Sequence, residues 1–317
     1  MTAKDITEKE LEAKNDVFAD IMNNLLFGGV EYVKEDELEQ GRQRSSYSSD
    51  SKHIREQERD LSKFWKQNEI RLAYVGIENE TEPEDDMPFR NIGYDGASYR
   101  DQISYVVDGK GKRRKVIERY PVVTLVLYMG YRKRWDKAKS IHEALGDRLD
   151  ERLKPFVHDY PINLFEIAFI TDEQLDKFKS DFWIVADYLV QMRKNNSYIP
   201  SDRQMRHVRE VLNLMAAMTN DTRFVEVVSE SEKGDEPKNM CEVLDRVENR
   251  GIDKGRREGK EEGRKEGREE GQRNTAALMA FLVKNGRPDD VVRASSDESF
   301  LKQLLSDFGA GLLSPTK

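Results

Sequence analysis

The chain has 317 residues, of which 37% are apolar and 36% charged, and a formal net charge of −8. This length allows two domains or one domain with appendages, and the clustered apolar residues exclude disorder of the whole chain. The single cysteine, Cys241, excludes an internal disulfide and argues against a zinc–thiolate site. No apolar run reaches the roughly 20 residues that span a bilayer, and the polar N-terminus is unlike a signal peptide. We expect a soluble, cytoplasmic protein with no membrane partner.

Helix and strand patterns alternate in the first part of the chain. Residues 11–27 carry apolar side chains at helical spacing, whereas the polar stretch at 41–60 has no usable period. Two strands are predicted next, at 60–65 and 70–80, joined by a turn. The second contains an almost continuous apolar run, which is typical of a strand covered on both faces.

A crossover helix is predicted after the second strand. Asp86 can cap this helix, and Pro88 suits its first turn. The spacing of apolar residues predicts one buried face, made of Phe89, Ile92, Gly96, Tyr99, Ile103 and Val106. A basic turn at 109–115 leads to a valine-rich buried strand at 121–129. Strand, helix and strand in this order predict an α/β core.

Helical patterns dominate the second half, at 172–193 and 202–218. The composition then changes to a charged, polar segment that we interpret as a linker. The predicted organisation is a domain over 1–228, a linker at 229–240, a charged helix at 241–273 and a small helical tail at 274–317.

The charged helix contains an internal repeat in which every fourth residue is glycine. These residues are Gly251, Gly255, Gly259, Gly263, Gly267 and Gly271. A spacing of four drifts slowly around a helix of 3.6 residues per turn, so the glycines form a spiralling ridge. Mixed charges support the helix, although each interior glycine costs about 0.5–1 kcal/mol relative to alanine. A homo-oligomer that associates through the ridge at 251–271 and a flexible helix without a partner both fit this pattern.

A basic stretch stands out from the acidic chain. Residues 109–139 contain eleven lysines and arginines against two acids, enough to contact phosphates and release counterions. The candidate DNA-binding residues are Lys110, Lys112, Arg113, Arg114, Lys115, Arg132, Lys133 and Arg134. A solvated hairpin followed by a loop fits the same charges, and charge alone does not separate these alternatives.

Three carboxylates are predicted to converge on the strand pair. Glu78 and Glu80 project to one face because side chains alternate along a strand, and Asp60 on the paired strand approaches them. Such oxygen ligands suit Mg²⁺ or Mn²⁺, which would activate water for phosphodiester hydrolysis. Because 61 of 317 residues are Asp or Glu, spacing alone favours solvated acids at strand ends.

Several motifs in combination resemble the Rpn family of recombination-promoting nucleases, which are also described as transposases. The central one is RDLSKFWKQNEIRLAYVGIENETEPEDDMPFRNIGYDGASYRDQI, with an Arg-Asp strand start, an acidic strand end, a Met-Pro-x-Arg turn and a tyrosine-containing helix. KNDVFADIM, YPVVTLVLYMG, the segment from KPFVHDYPINLF to IVADYLV and the charged glycine repeat are similar as well. The resemblance covers most of residues 11–225 and the repeat.

This resemblance implies a PD-(D/E)xK restriction-endonuclease-like core, a mixed central sheet flanked by helices, with a helical C-terminal extension. It implies a metal-dependent DNA endonuclease of a bacterial cytoplasm that uses Mg²⁺ or Mn²⁺, with a role in recombination or mobile elements. The implied metal ligands are Asp60, Glu78, the main-chain carbonyl of Asn79 and, in the first helix, Asp16. The following helix would supply supporting polar groups from Tyr99, Arg100 and Gln102.

The sequence departs from the family at Glu80, where the superfamily usually has lysine and this family glutamine. One interpretation makes Glu80 a general base or an extra metal ligand. The other holds that the added negative charge weakens catalysis and leaves a nuclease-fold protein that acts in DNA binding or oligomeric assembly. The first interpretation is the leading hypothesis.

Overall fold

The computed structural model describes residues 3–41, 44–48, 54–58, 60–107, 109, 111–231 and 236–311. The chain divides into two compact units, Met1–Val247 and Glu248–Lys317. Among the described helices, none is long and apolar enough to cross a membrane.

The strands of the described chain all lie in the first unit. They are β1 Leu38–Gln40, β2 Arg44–Ser48, β3 Ile54–Glu58, β4 Leu61–Gln67, β5 Ile70–Glu80, β6 Ile103–Val107, β7 Arg113–Ile117, β8 Val122–Tyr128 and β9 Asn163–Glu166. Five form a sheet in the order β1-β4-β5-β8-β9, and β2–β3 and β6–β7 form separate hairpins. In the sheet, β1–β4 and β4–β5 are antiparallel while β5–β8 and β8–β9 are parallel.

The α-helices follow the same chain order. They are α1 Ala3–Glu12, α2 Asn15–Leu25, α3 Met87–Asp101, α4 Ile141–Leu145, α5 Asp172–Asp176, α6 Phe182–Asn195, α7 Val208–Thr219, α8 Arg223–Ser231, α9 Met240–Lys284, α10 Pro288–Ser296 and α11 Glu298–Gly309. The predicted mixed α/β architecture, with helices flanking a mixed sheet and a helical C-terminal extension, is confirmed.

The two faces of the sheet differ in character because successive side chains of a strand point to opposite sides. One face, with Val75, Ile77, Leu125 and Leu127, packs against α1, α2, α6 and α7 in the main core. The opposite face packs against α3, whose Met87 contacts Val126 and Tyr128 of β8. The central strands are therefore covered on both sides, as the apolar run in β5 predicted.

The predicted buried face of α3 is wrong. Phe89, Ile92 and Tyr99 are each more than 40% exposed, whereas Asn91 and Asp95 are buried. Asp95 accepts a 2.6 Å hydrogen bond from the Thr124 hydroxyl and another from the Tyr160 hydroxyl. The helix faces the sheet with a hydrogen-bonded polar stripe, which a search for apolar periodicity does not detect.

Two further predictions of local structure fail around this helix. Ile103 and Val106 belong to β6 rather than to the helix, which ends at Asp101. The predicted basic turn includes the first three residues of β7, so Ile103–Val107 and Arg113–Ile117 pair as a hairpin. The polar stretch at 41–60 contains the backbone hairpin β2–β3, for which the sequence showed no period.

Helix boundaries also differ from the predictions. Residues 11–27 are not one helix: α1 ends at Glu12, and α2 begins at Asn15 after an extended Lys14. The pattern at 172–193 is divided into α5 and α6, and the pattern at 202–218 begins only with α7. The first compact unit extends to Val247 rather than 228, because Met240, Val243 and Val247 are buried in its core.

The second unit has its own small core, built from Leu278, Leu282, Ala294 and Leu304. Residues 251–271 of α9 are exposed along the described chain. A Cβ atom added to any of the glycines of the repeat would meet no other atom within 4 Å. Self-association through this ridge stays a prediction.

Core packing predicts that alanine substitutions at two isoleucines of β5 lower the free energy of unfolding by very different amounts. Ile77→Ala, at a position with no exposed surface, is expected to lower the free energy of unfolding by roughly 2–5 kcal/mol because it leaves a cavity. The matched control is Ile70→Ala, at a site 67% exposed in the same strand, with a change within about 0.5 kcal/mol. Urea unfolding measures both values, and equal losses would contradict the assigned register.

Candidate functional site

Asp60 and Glu78 meet at the edge of the first strand pair. Asp60 directly precedes β4, and the antiparallel register that pairs Leu61 with Ile77 places it opposite Glu78. The backbone N–H of Asp60 donates to Oε1 of Glu78 at 3.4 Å. Oδ2 of Asp60 accepts from the backbone N–H of Asn79 at 3.0 Å. The structure thus brings together two of the predicted metal-binding residues.

Arg90 of α3 joins the carboxylates at the end of β5. Its Nη2 lies 3.3 Å from Oε2 of Glu78, and its Nη1 lies 2.6 Å from Oε1 of Glu80 and from Oε2 of Glu84. Glu78 is 0% exposed, and a buried carboxylate needs such a charged partner. Sequence analysis included Arg90 only as the last residue of the Met-Pro-x-Arg motif. The sequence did contain a signal for this role, because Arg90 lies one turn into the helix that follows the acidic end of a strand.

Helix α1 contributes a second set of polar groups from the opposite face of the sheet. Nζ of Lys9 lies 2.9 Å from Oδ1 of Asp60, and Nδ2 of Asn79 donates to Oε2 of Glu12 at 2.7 Å. Glu8 and Glu12 are 2% and 1% exposed. Sequence reasoning missed these residues because the first helix was predicted to begin at Leu11, after the turn that carries Glu8 and Lys9.

Burial shifts the protonation of three carboxyl groups at the site. It raises the pKa of Glu8 to about 7, although the Lys4 ammonium opposes the shift. Burial, with a contribution from the charge of Glu8, raises the pKa of Glu12 well above its usual range. Burial also raises the pKa of Glu80, against the lowering effect of Arg90. These groups therefore exchange protons closer to neutral pH than ordinary glutamates do.

An open cleft of about 720 Å³ gives solvent access to this end of the sheet. Its lining includes Lys4, Asp60, Asn79, Glu80, Glu84 and Arg90. The full lining contains five carboxylates against the two cations Lys4 and Arg90, so an anionic ligand would need a bound cation to offset this negative charge.

Other predicted site residues lie elsewhere. Asp16, on α2, is not near the cleft residues: it pairs with Nε2 of His207 at 2.8 Å and with Arg206 at 3.2 Å. Tyr99 accepts from the backbone N–H of Val122 at the far end of α3. Arg100 is exposed at that same end of the helix.

Gln102 has a local structural role. It is buried, and its side chain exchanges hydrogen bonds with the backbone N–H and carbonyl of Tyr120. Because α3 runs antiparallel to β5, its first turn lies beside Glu80 and its last turn beside Tyr74. The helix that the resemblance predicts to support the site therefore contributes Arg90 rather than Tyr99, Arg100 or Gln102.

The basic stretch falls into two separate places. Lys112 and Arg113–Lys115 lie in the β6–β7 hairpin, whereas Arg132–Arg134 lie in the loop after β8. In the loop, Lys133 pairs with Glu82 at 3.8 Å and Arg134 with Glu166 at 3.0 Å. Arg132 is exposed beside Tyr131, and Lys110 lies outside the described residues. Only the loop adjoins the acidic end of the sheet, because Glu82 lines the cleft.

The donor set can be compared with the needs of a hard divalent cation. Within the part of the chain that the structure describes, no group of three or more histidine, cysteine or carboxylate side chains is arranged to hold a metal ion. Mg²⁺ commonly binds one or two carboxylates and completes its shell with water and substrate phosphate. Asp60 and Glu78 lie opposite each other in the strand pair and would supply those two carboxylates, with Glu78 buried and paired with Arg90.

No protein-family model matches this chain, and neither the curated proteins nor the solved structures contain a significant match to it. The resemblance of its motifs to the Rpn family stays a prediction. The fold and the geometry of the cleft therefore carry the functional argument.

The raised pKa of Glu8 predicts that removing its charge increases the stability of the fold in a pH-dependent way. Native Glu8 keeps its proton up to pH about 7, whereas the ordinary pKa is 4.5, so native stability falls as the pH rises through this window. Glu8→Gln avoids that loss. We expect its free energy of unfolding to exceed that of the wild type above pH 7, by roughly 3 kcal/mol at most, and the difference to vanish towards pH 4.5.

Urea unfolding at a series of pH values measures this difference. The control is Glu10→Gln, an exposed position on the same helix, for which no comparable gain is expected. A difference that stays constant with pH would show that Glu8 is not the titrating group.

Proposed function

We propose that this chain is a divalent-metal-dependent DNA endonuclease with a PD-(D/E)xK-type core. The observation that carries the proposal is the position of Asp60 opposite the buried Glu78, at the border of a cleft that Asp60 lines together with Lys4, Glu80 and Arg90. A mixed sheet with α3 as the crossover between parallel strands β5 and β8 supports it, as does the motif resemblance. DNA, rather than RNA, is proposed on the resemblance.

The proposed ligands of Mg²⁺ or Mn²⁺ are the carboxylates of Asp60 and Glu78 and the main-chain carbonyl of Asn79. When bound, the ion would polarise a phosphoryl oxygen and lower the pKa of a bound water. Lys9 orients Asp60 through its 2.9 Å ion pair. The Asn79 backbone is held by its N–H bond to Asp60 and by its side-chain bond to Glu12.

Glu80 is the proposed proton acceptor for the attacking water. A general base works best when its pKa approaches the working pH, and burial moves the pKa of Glu80 in that direction. Arg90 holds its carboxylate at 2.6 Å and provides a positive charge on the cleft. In this proposal, Arg90 supplies the cation that the superfamily usually carries as lysine at the position of Glu80.

A non-catalytic role in DNA binding or assembly is the second candidate. The observation that favours it is the same ion pair: Arg90 already neutralises Glu78 and Glu80, which reduces their need for a metal ion. A role in recombination or mobile elements, a cytoplasmic location and a homo-oligomer through residues 251–271 are compatible with both candidates.

Isosteric neutralisation tests the nuclease directly. Asp60→Asn and Glu78→Gln are expected to abolish nicking of supercoiled plasmid in Mg²⁺ or Mn²⁺, because each removes a charged ligand. The control Glu69→Gln removes an exposed carboxylate at the other end of the same strand pair and should nick normally. Agarose electrophoresis with an EDTA lane gives the readout, and the thermal midpoint confirms folding. Normal nicking by both site variants would show that the site is misassigned.

Arg90→Ala separates the two candidates by metal binding. Loss of the guanidinium removes the positive charge that compensates the buried Glu78 and is expected to destabilise the fold in EDTA by roughly 3–5 kcal/mol. If Asp60 and Glu78 bind a divalent ion, Mn²⁺ should raise the thermal midpoint of Arg90→Ala more than that of the wild type. Arg100→Ala, exposed near the end of the same helix, is the control. No response to Mn²⁺ in either protein would favour the non-catalytic role.

A further inference from the structure

The strands of the β6–β7 hairpin are exposed to solvent on both faces. Only Ile103 and Val116 among its strand residues are partly covered. Tyr105, Val107 and Ile117 are each at least half exposed. A lone two-stranded hairpin is marginally stable in water, so a surface that covers it would stabilise it.

The two strands of this hairpin differ in chemistry. The register pairs Tyr105 with Lys115, Val106 with Arg114 and Val107 with Arg113, so three of the five residue pairs join an apolar residue to a basic one. The guanidinium carbon of Arg113 lies 4.0 Å from the centre of the Tyr105 ring. Because side chains alternate along a strand, one face of the hairpin carries Tyr105, Val107, Arg113 and Lys115, and the other carries Val106 and Arg114. Each face therefore presents cations beside apolar side chains.

We propose that this hairpin is a ribbon that enters the major groove of duplex DNA. Its cations complement the phosphates that border the groove, and its apolar strand suits thymine methyl groups on the groove floor. The major groove of B-form DNA admits a two-stranded ribbon, whereas that of A-form RNA is too narrow and deep. The inference rests on the proposed function in taking DNA as the substrate.

The position of the ribbon gives it a role separate from the acidic cleft. Its base lies at Gln102 and Glu118, at the end of the sheet where Tyr74 pairs with Val122. Glu78 and Glu80 lie four to six residues further along β5, which corresponds to roughly 13–20 Å. This span is shorter than one turn of B-form DNA, roughly 34 Å. One duplex can therefore contact both places, and the ribbon contributes affinity without touching the proposed metal ligands.

Fluorescence anisotropy with the full chain in EDTA tests this inference without cleavage. The probes are a duplex DNA of about two helical turns and a duplex RNA of the same sequence. Arg114→Glu combined with Lys115→Glu is expected to weaken DNA binding by roughly tenfold or more and to reduce the slope of log K against log salt concentration by about 2. Lys154→Glu combined with Lys194→Glu makes the same charge change at lysines paired with acids and is expected to have little effect.

A second variant, Tyr105→Ala, keeps every charge of the ribbon. It is expected to weaken DNA binding while the salt slope stays unchanged, since it removes an apolar groove contact and the support of Arg113. If the double charge reversal fails to fold, Tyr105→Ala alone tests whether the hairpin binds DNA.

Several results would overturn the inference. Two concern the wild type: no binding to DNA, or equal affinity for duplex RNA and DNA. Two concern the variants: equal losses of DNA affinity in the hairpin and control double variants, or hairpin variants that lose self-association while their DNA binding stays intact. If the chain binds DNA through the hairpin but never nicks plasmid, the inference about the ribbon is supported and the nuclease proposal is refuted. If the wild type nicks plasmid and the hairpin variants bind DNA as well as the wild type does, the nuclease proposal is supported and the inference about the ribbon is refuted.

Discussion

The ion pair between Glu78 and Arg90 is the interaction on which the geometry of the cleft depends. Glu78 lies in β5 between β4 and β8 with no exposed surface, so its position is set by strand pairing and its charge must be compensated locally. Arg90 provides that compensation from the first turn of the crossover helix. The same guanidinium holds Glu80 and Glu84. The start of α3, the end of β5 and the turn between them are thereby tied into one polar assembly.

The strand end is polar on both faces, although the strand is apolar a few residues earlier. On one face Glu78 and Glu80 meet α3, and on the other Asn79 meets Glu12 of α1. Burial raises the pKa of Glu12 and Glu80, which costs stability when these groups are ionised. A protein selected for stability alone would place apolar residues there, as β5 does at Val75 and Ile77. The arrangement is typical of a site where charge serves binding or chemistry.

The candidate DNA-binding cations of the described chain are divided between two surfaces. Those of the loop after β8 pair with acids at the rim of the cleft and on β9, so they help to position these acids. Those of the β6–β7 hairpin lie on an exposed ribbon at the other end of the sheet. The acidic net charge of the chain is thus compatible with a nucleic-acid partner, because the local field near each surface matters more than the sum.

The sequence by itself determined the central strands, their order around a crossover helix and the acidic end of β5, because continuous apolar runs and turn residues report local structure. It also put Asp60 and Glu78 on one pair of strands, but their exact pairing depends on the irregularity between Trp65 and Lys66, which only the structure reveals. Only the tertiary structure decided which helix faces meet the sheet. The polar stripe of Asn91 and Asp95 has no apolar period, and Lys9 reaches Asp60 from α1, an element distant in sequence. Local patterns do not encode such contacts, because they depend on how separate elements pack.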